Sequence, residues 1–306
     1  MFLPFIMLAM AAQTTGVHCE ALEQQARLAM KARRAPEAAK LFEDALAACP
    51  GSPSAMLGLA EARILLANSY LMSRQPNLAL AESERVLRDH PDDPAALKIK
   101  ANAAYLLGDA GKAIATLIRL LDRHPDDENG AYMLGRIYYQ ESQIDLAIGQ
   151  FERALKTSPR SYKALDNLGL CYVAKGDDQQ ATRYFLSAIK LVEKDHPEYE
   201  WPYVNLAELL LKGNDAKRAF DAASMATNRN PQSARSFYVG AKALEQLGKP
   251  ELSLNWAQRS SALDPGYSDA WYLLARLYRK LGQAEKAEEA RQRFAAAKAK
   301  EPARRR

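Results

Sequence analysis

Residues Glu128 to Ser161 read ENGAYMLGRIYYQESQIDLAIGQFERALKTSPRS, and the rest of the chain repeats this stretch with variations. Leu134, Gly135, Tyr138, Ala147, Phe151, Ala154 and Pro159 stand at positions 7, 8, 11, 20, 24, 27 and 32 of a 34-residue unit. Together with Pro159, the prolines Pro50, Pro91, Pro125, Pro197, Pro231 and Pro265 follow one another at steps of 41, 34, 34, 38, 34 and 34. Proline has no N–H to donate and clashes with the preceding turn, so each one closes a helical hairpin and the next helix starts just after it. The irregular steps exceed 34 by 7 and 4, near whole numbers of helical turns, so the helix faces keep their phase. This predicts a long first helix over 54–73 in the second unit and, in the fifth, a lengthened second helix or a lengthened exit from it towards His196.

The same register places Gly108, Gly176, Gly248 and Gly282 where the chain leaves a first helix and needs a left-handed residue. Asp109, Asp177 and Asp215 follow as caps of second helices. Small residues at position 8, such as Ala101, Gly135, Gly169, Ala207, Ala241 and Ala275, permit close approach of helices. In the last unit Arg291 and Gln292 replace the apolar residues of the other second helices, which marks a polar capping helix.

The composition agrees with an all-α chain: 48 % apolar, with Ala and Leu favoured over Val, Ile and Thr. The net charge of +5 resides in the C-terminal end, where Arg291, Arg293, Lys298, Lys300, Arg304, Arg305 and Arg306 face only Glu301. A nearly neutral body does not suit specific nucleic-acid binding, which needs a basic face running along an array.

The unit resembles the tetratricopeptide repeat, with Ala131 in place of that family's tryptophan. The resemblance implies a right-handed superhelical solenoid of helix-turn-helix hairpins, with units at about 19–52, 53–93, 94–127, 128–161, 162–199, 200–233, 234–267 and 268–301. A basic tail follows over 302–306. It also implies a scaffold that binds a protein or peptide partner and does no catalysis. In this family the first helix of each hairpin lines the concave surface, chiefly through positions 2, 5, 9, 12 and 13. Carried over residue by residue, these are Lys98, Asn102 and Tyr105, then Asn129, Tyr132, Arg136, Tyr139 and Gln140. Lys163 and Asp166, Trp201, Glu208 and Lys212, Arg235, Tyr238 and Lys242, and Tyr272, Arg276 and Arg279 follow. Aromatic and basic groups alternate, which suits an acidic or aromatic peptide. The alternative is a cytoplasmic co-chaperone-like adaptor for peptide tails: Lys98, Asn102 and Lys163 match that carboxylate clamp, whereas Met133 and Asn167 do not.

Phe2 to Ala12 is an uncharged apolar run, too short to span a bilayer, with Ala9-Met10-Ala11 as a small-x-small cleavage motif. A signal peptide over 1–18 is expected, although no basic residue precedes the run, and it implies export and no transmembrane span in the mature chain. Cys19 and Cys49 fall at positions 1 and 31 of the first unit, where an antiparallel hairpin brings them together, so a disulfide between them is geometrically open and would contribute ~3–4 kcal/mol. Cys171 reads as inert core. His90, His124 and His196 each precede a hairpin-closing proline and read as turn residues. No metal-ligating or phosphate-cradling motif occurs, and Ser187 to Lys190, a Ser-x-x-Lys on a second helix without companion motifs, reads as chance, so no catalytic residue, metal or cofactor is expected.

Overall fold

The computed structural model describes residues 3–300, with side chains from Val17 onward. Among the described residues every regular element is an α-helix, as the composition and the repeat require. The chain forms two compact units, one ending at Ile137 and the other beginning at Tyr138. The first unit contains α1 (Leu3–Lys31), α2 (Ala35–Ala48), α3 (Pro53–Met72), α4 (Pro76–Asp89), α5 (Pro94–Leu106) and α6 (Ala110–Arg123). The boundary falls within α7 (Glu128–Gln140). The second contains α8 (Ile144–Thr157), α9 (Tyr162–Lys175), α10 (Asp178–Asp195), α11 (Trp201–Lys212), α12 (Ala216–Arg229), α13 (Ala234–Gln246), α14 (Pro250–Leu263), α15 (Ser268–Lys280) and α16 (Ala284–Lys300).

Within each unit consecutive helices pack as hairpins, and the odd-numbered helices also touch one another: α1 with α3 and α3 with α5, then α9 with α11, α11 with α13 and α13 with α15. The long helix expected near 54–73 is α3, and the surplus of the fifth repeat lengthens α10. That added turn is used in the core, since Ile189 and Val192 are buried against Tyr203 and Val204 of α11.

The hairpin turns follow from local chemistry. Gly108, Gly176, Gly248 and Gly282 have φ of 91°, 78°, 71° and 73°, and Arg33, Arg74, Ser142 and Asn214 also adopt the left-handed region at turns between paired helices. Asp109, Asp177 and Asp215 accept hydrogen bonds from the N–H groups of Lys112, Gln180 and Arg218, each cap stabilising its helix by ~1 kcal/mol. The histidines serve the turns as well: His124 Nε2 lies 2.9 Å from the main-chain oxygen of Asp92, and the His196 ring meets Tyr162 at 4.3 Å.

Packing inside the hairpins relies on one large side chain set against a missing one. Phe42, Phe151 and Phe185 are completely buried. A Cβ added to Gly169 of α9 would lie closer than 3.0 Å to ring carbons of Phe185 on α10, and one added to Gly240 of α13 would meet Trp256 of α14 equally closely. At the end of the array α16 buries only Ala287, Ala290 and Ala297 among its described side chains and exposes Arg291 and Gln292.

Cys19 and Cys49 are thiols in this structure and form no disulfide, but the first hairpin does bring them together. The buried Cys19 thiol hydrogen-bonds the Cys49 side chain and also approaches the Ala45 oxygen at 3.6 Å. The contact with Cys49, followed by burial, pushes Cys19 up to about 12. Cys171 is buried, and burial raises it to about 12. The backbone runs as one helix from Leu3 through Cys19. The side chains of the apolar run 2–12 and the whole of the tail 302–306 lie outside the described residues. No described helix is long and apolar enough to cross a membrane.

Candidate functional site

Positions 2, 5, 9 and 12 of a first helix are separated by three or four residues, so they share one face. On the first unit that face carries Lys98, Asn102, Tyr105, Asn129, Tyr132 and Arg136. Lys98, Asn102 and Asn129 line a shallow pocket of about 240 Å³ together with Asn68, Leu71 and Met133. Lys98 is already engaged there, its Nζ lying 2.6 Å from Asp127 Oδ2. Tyr105 is half-buried, and the Arg136 guanidinium stands 6.0 Å from the centre of the Tyr132 ring.

On the second unit Tyr139 is half-buried, with its phenol held protonated to higher pH first by burial, and Gln140 is exposed. Trp201, Lys163, Lys212, Tyr272, Arg276 and Arg279 are exposed, and Glu208, Arg235, Tyr238 and Lys242 are half-buried. The Arg235 guanidinium sits 5.6 Å from the Trp201 ring, Lys242 Nζ 5.6 Å from the Tyr238 ring, and Arg276 5.8 Å from the Tyr272 ring. Tyr238 packs edge-on against Tyr267 at 5.2 Å, and Tyr272 meets Phe294 at 5.6 Å. Burial raises the Tyr238 phenol to about 12, so its hydroxyl remains a donor at any physiological pH.

Three cations of this face are engaged by carboxylates. Arg235 forks onto Glu208 at 2.9 and 2.6 Å, Arg276 reaches Glu245 at 2.6 Å, and Lys212 reaches Asp178 at 3.0 Å. Each pair is partly exposed and adds little to stability, on the order of 0–1 kcal/mol, but it cancels the local charge. What the face offers is aromatic surface with directed donors. A carboxylate clamp is not favoured by these contacts, because Lys98 is held by Asp127 and Asn167 Nδ2 donates to the Lys163 carbonyl.

Asp166 stands apart from the other carried-over residues. It is 3 % exposed, beneath the face and not on it, and its Oδ1 accepts from Asn205 Nδ2 of α11 at 2.9 Å. Burial raises its carboxyl to about 7, against the opposing pull of the Asn205 hydrogen bond and of Arg235. Asn205, Glu245, Asp178 and Tyr267 were missed by a reading confined to five positions per repeat. Asn205 had a signal, as a lone amide within the apolar run of α11 from Pro202 to Leu211. Among the described residues no cluster of His, Cys, Asp or Glu is arranged to hold a metal ion.

The model of the tetratricopeptide repeat family matches residues 23–65, 64–128 and 132–196, more than half of the chain, and a second model of that description matches 256–289. A CTR9 homolog protein of Arabidopsis thaliana is 26 % identical over 119 residues, 39 % of this chain, which spans only 11 % of that relative. A tetratricopeptide repeat protein of Parabacteroides merdae superposes with a TM-score of 0.64 at 17 % identity, covering 85 % of this chain and 98 % of its own. The Cut9–Hcn1 hetero-tetramer of APC/C gives 0.63 at 18 % identity, covering 84 % of this chain and 55 % of the matched one. PilF of Pseudomonas aeruginosa gives 0.60 at 18 %, covering 71 % and 97 %. Likeness at these identities is likeness of fold.

Proposed function

This chain belongs to the tetratricopeptide repeat family, and from that premise we propose that the odd-helix face of its second unit captures an extended segment of a protein partner, in a setting outside the cytoplasm. The fold itself is that of a protein-interaction module, of a kind that is generally not catalytic. One observation carries the choice of face: an aromatic ring with a cation beside it recurs on α11–α13, on α13 and on α15, through Trp201 and Arg235, Tyr238 and Lys242, and Tyr272 and Arg276. Rings of this kind combine apolar area with a polar edge at low entropic cost, the usual composition of interface anchors. Because Glu208 and Glu245 already neutralise Arg235 and Arg276, recognition rests on stacking and hydrogen bonds more than on net charge.

Replacing Trp201 and Tyr272 together by alanine is expected to remove the partner captured from native-host extract, with the melting temperature held. Both rings are substantially exposed, at 38 % and 52 %, so little core is lost. Quantitative mass spectrometry of the captured material reads the result, and an unchanged set of captured proteins would sink the assignment of this face.

The setting outside the cytoplasm is supported by the apolar run 2–12 and by the adjacent thiols of Cys19 and Cys49. In an oxidising compartment these two lose two electrons and two protons to a thiol–disulfide oxidant and join. The expected result, for protein taken from the native host and denatured in alkylating buffer, is one modified thiol, Cys171, in place of three. Reduction should then loosen the α1–α2 hairpin by ~3–4 kcal/mol. Three modified thiols, with residues 1–18 still attached, would instead place the protein in a reducing compartment.

A further inference from the structure

A second surface, unconnected with the odd-helix face, lies on the first unit between α4 and α6. These helices flank α5 and leave an open cleft of about 730 Å³, within the size range of ligand-binding clefts. On α5, Leu97 and Lys100 line this cleft, whereas Lys98 and Asn102 belong to the pocket on the other side of the helix. We propose that the cleft docks a short acidic segment of a protein partner, its carboxylates on the arginines and one aliphatic side chain against the half-buried Leu87.

Shape comes first. Ala81 of α4 and Ala115 of α6 are both exposed and present only a methyl group, so nothing fills the gap between the two helices. Charge is the stronger argument. The lining carries Arg85, Arg88, Lys100, Lys112 and Arg119 against Glu84 alone. Glu84 lies 3.2 Å from Lys100 and 3.4 Å from Lys112; burial opposes its ionisation, but the two lysines outweigh it and hold its carboxyl below the ordinary range. Arg85 also leans on Glu82 at 2.6 Å, and Arg119 on Asp92 at 3.0 Å. Even with those two acids included, cations outnumber carboxylates by two. Both arginines keep guanidinium nitrogens beyond the ones used in these bonds, and Arg88, in the last turn of α4, is exposed beside them. A planar guanidinium with five donors in a fixed fork suits the two oxygens of a carboxylate.

Size and surroundings select a peptide over a polynucleotide. The lining spans two turns of α4, from Ala81 to Arg88, or about 10 Å, enough for three or four extended residues. Exposed Asp89 and Asp122 lie on the same two helices and interrupt any longer basic track. A nucleic-acid strand needs a stripe of cations continuing past that length.

The test uses the full chain and a fluorescein-labelled peptide carrying Glu-Leu-Glu-Glu between Gly-Ser flanks, read by fluorescence anisotropy. Saturable binding that weakens with added salt is expected, with no binding by the counterpart in which Gln replaces each Glu. The double variant Arg88→Glu/Arg119→Glu should weaken binding by at least about tenfold at an unchanged melting temperature. Ala81→Trp, which fills the cleft and leaves its charge alone, should do the same, whereas Trp201→Ala/Tyr272→Ala should have no effect. The proposal is overturned by any of four results: no saturation up to about 1 mM, equal binding of the Gln peptide, indifference to both cleft variants, or a single-stranded oligonucleotide of the same charge that binds the same residues more tightly.

Discussion

Phe185→Ala is expected to destabilise the second unit by about 3–5 kcal/mol, the largest loss from any single side chain of α9 or α10. Phe185 is completely buried, and its ring occupies the space that a side chain on Gly169 would take. Removing it leaves a cavity that the closely packed neighbours cannot fully fill, since Ala181 and Ala188 on the same helix and Leu168 on α9 are all buried at 0 %. Adding Gly169→Ala to that variant should recover part of the loss. The new methyl group enters vacated space, and alanine is favoured over glycine inside a helix by about 1 kcal/mol. In the wild-type background the same Gly169→Ala should be unfavourable, since the Phe185 ring would have to move. The sign of the Gly169 effect thus reverses with residue 185, a coupling that a double-mutant cycle measures directly. All three tryptophans, Trp201, Trp256 and Trp271, belong to this unit, so denaturation followed by their fluorescence reports on it alone. Strictly additive losses would contradict the pairing.

The second large effect is a dependence on pH that one substitution should remove. Asp166 titrates near 3.8 when unfolded and at about 7 in the folded chain, with burial as the main cause. Between those values the folded state binds the extra proton, so wild-type stability contributed by this group falls as pH rises from about 4 to about 7 and stays low above that. Asp166→Asn keeps an oxygen for Asn205 Nδ2 and carries no charge. It should leave stability almost unchanged at pH 4 and raise it at pH 8, by on the order of 4 kcal/mol at most. Urea denaturation of both proteins across that range, again by tryptophan fluorescence, gives the difference curve. A flat difference would mean that Asp166 is not desolvated as the packing of α9 on α11 requires.

The face proposed for partner capture and the side chains behind these stability effects lie on neighbouring layers of the same unit. Trp201 and Tyr272 are exposed on helices that bury Val204 and Leu273. Substitutions on the outer layer should therefore alter binding without changing stability much, and Phe185→Ala should do the opposite. The cleft between α4 and α6 adds a third class, exposed cations whose reversal should touch neither the core nor the aromatic face.

The repeat Glu128 to Ser161 was enough to read the fold, because a hairpin is specified locally. Proline, a left-handed residue and a capping aspartate act within a few residues of sequence, so the length of α3 and the caps at Asp109, Asp177 and Asp215 were legible in the sequence, whereas only the structure assigned the surplus of the fifth repeat to α10. Which residues share the odd-helix face was legible too, since a period of 3.6 fixes it. Their state was not. That Arg235 spends its charge on Glu208, that Asp166 sinks beneath the face to Asn205, and that Ala81 and Ala115 open a cationic cleft all depend on how neighbouring hairpins meet. The partners in these contacts lie roughly a whole repeat or more apart in sequence, at separations of 27, 39 and 34 residues, where local propensity carries no information and only packing sets the distance.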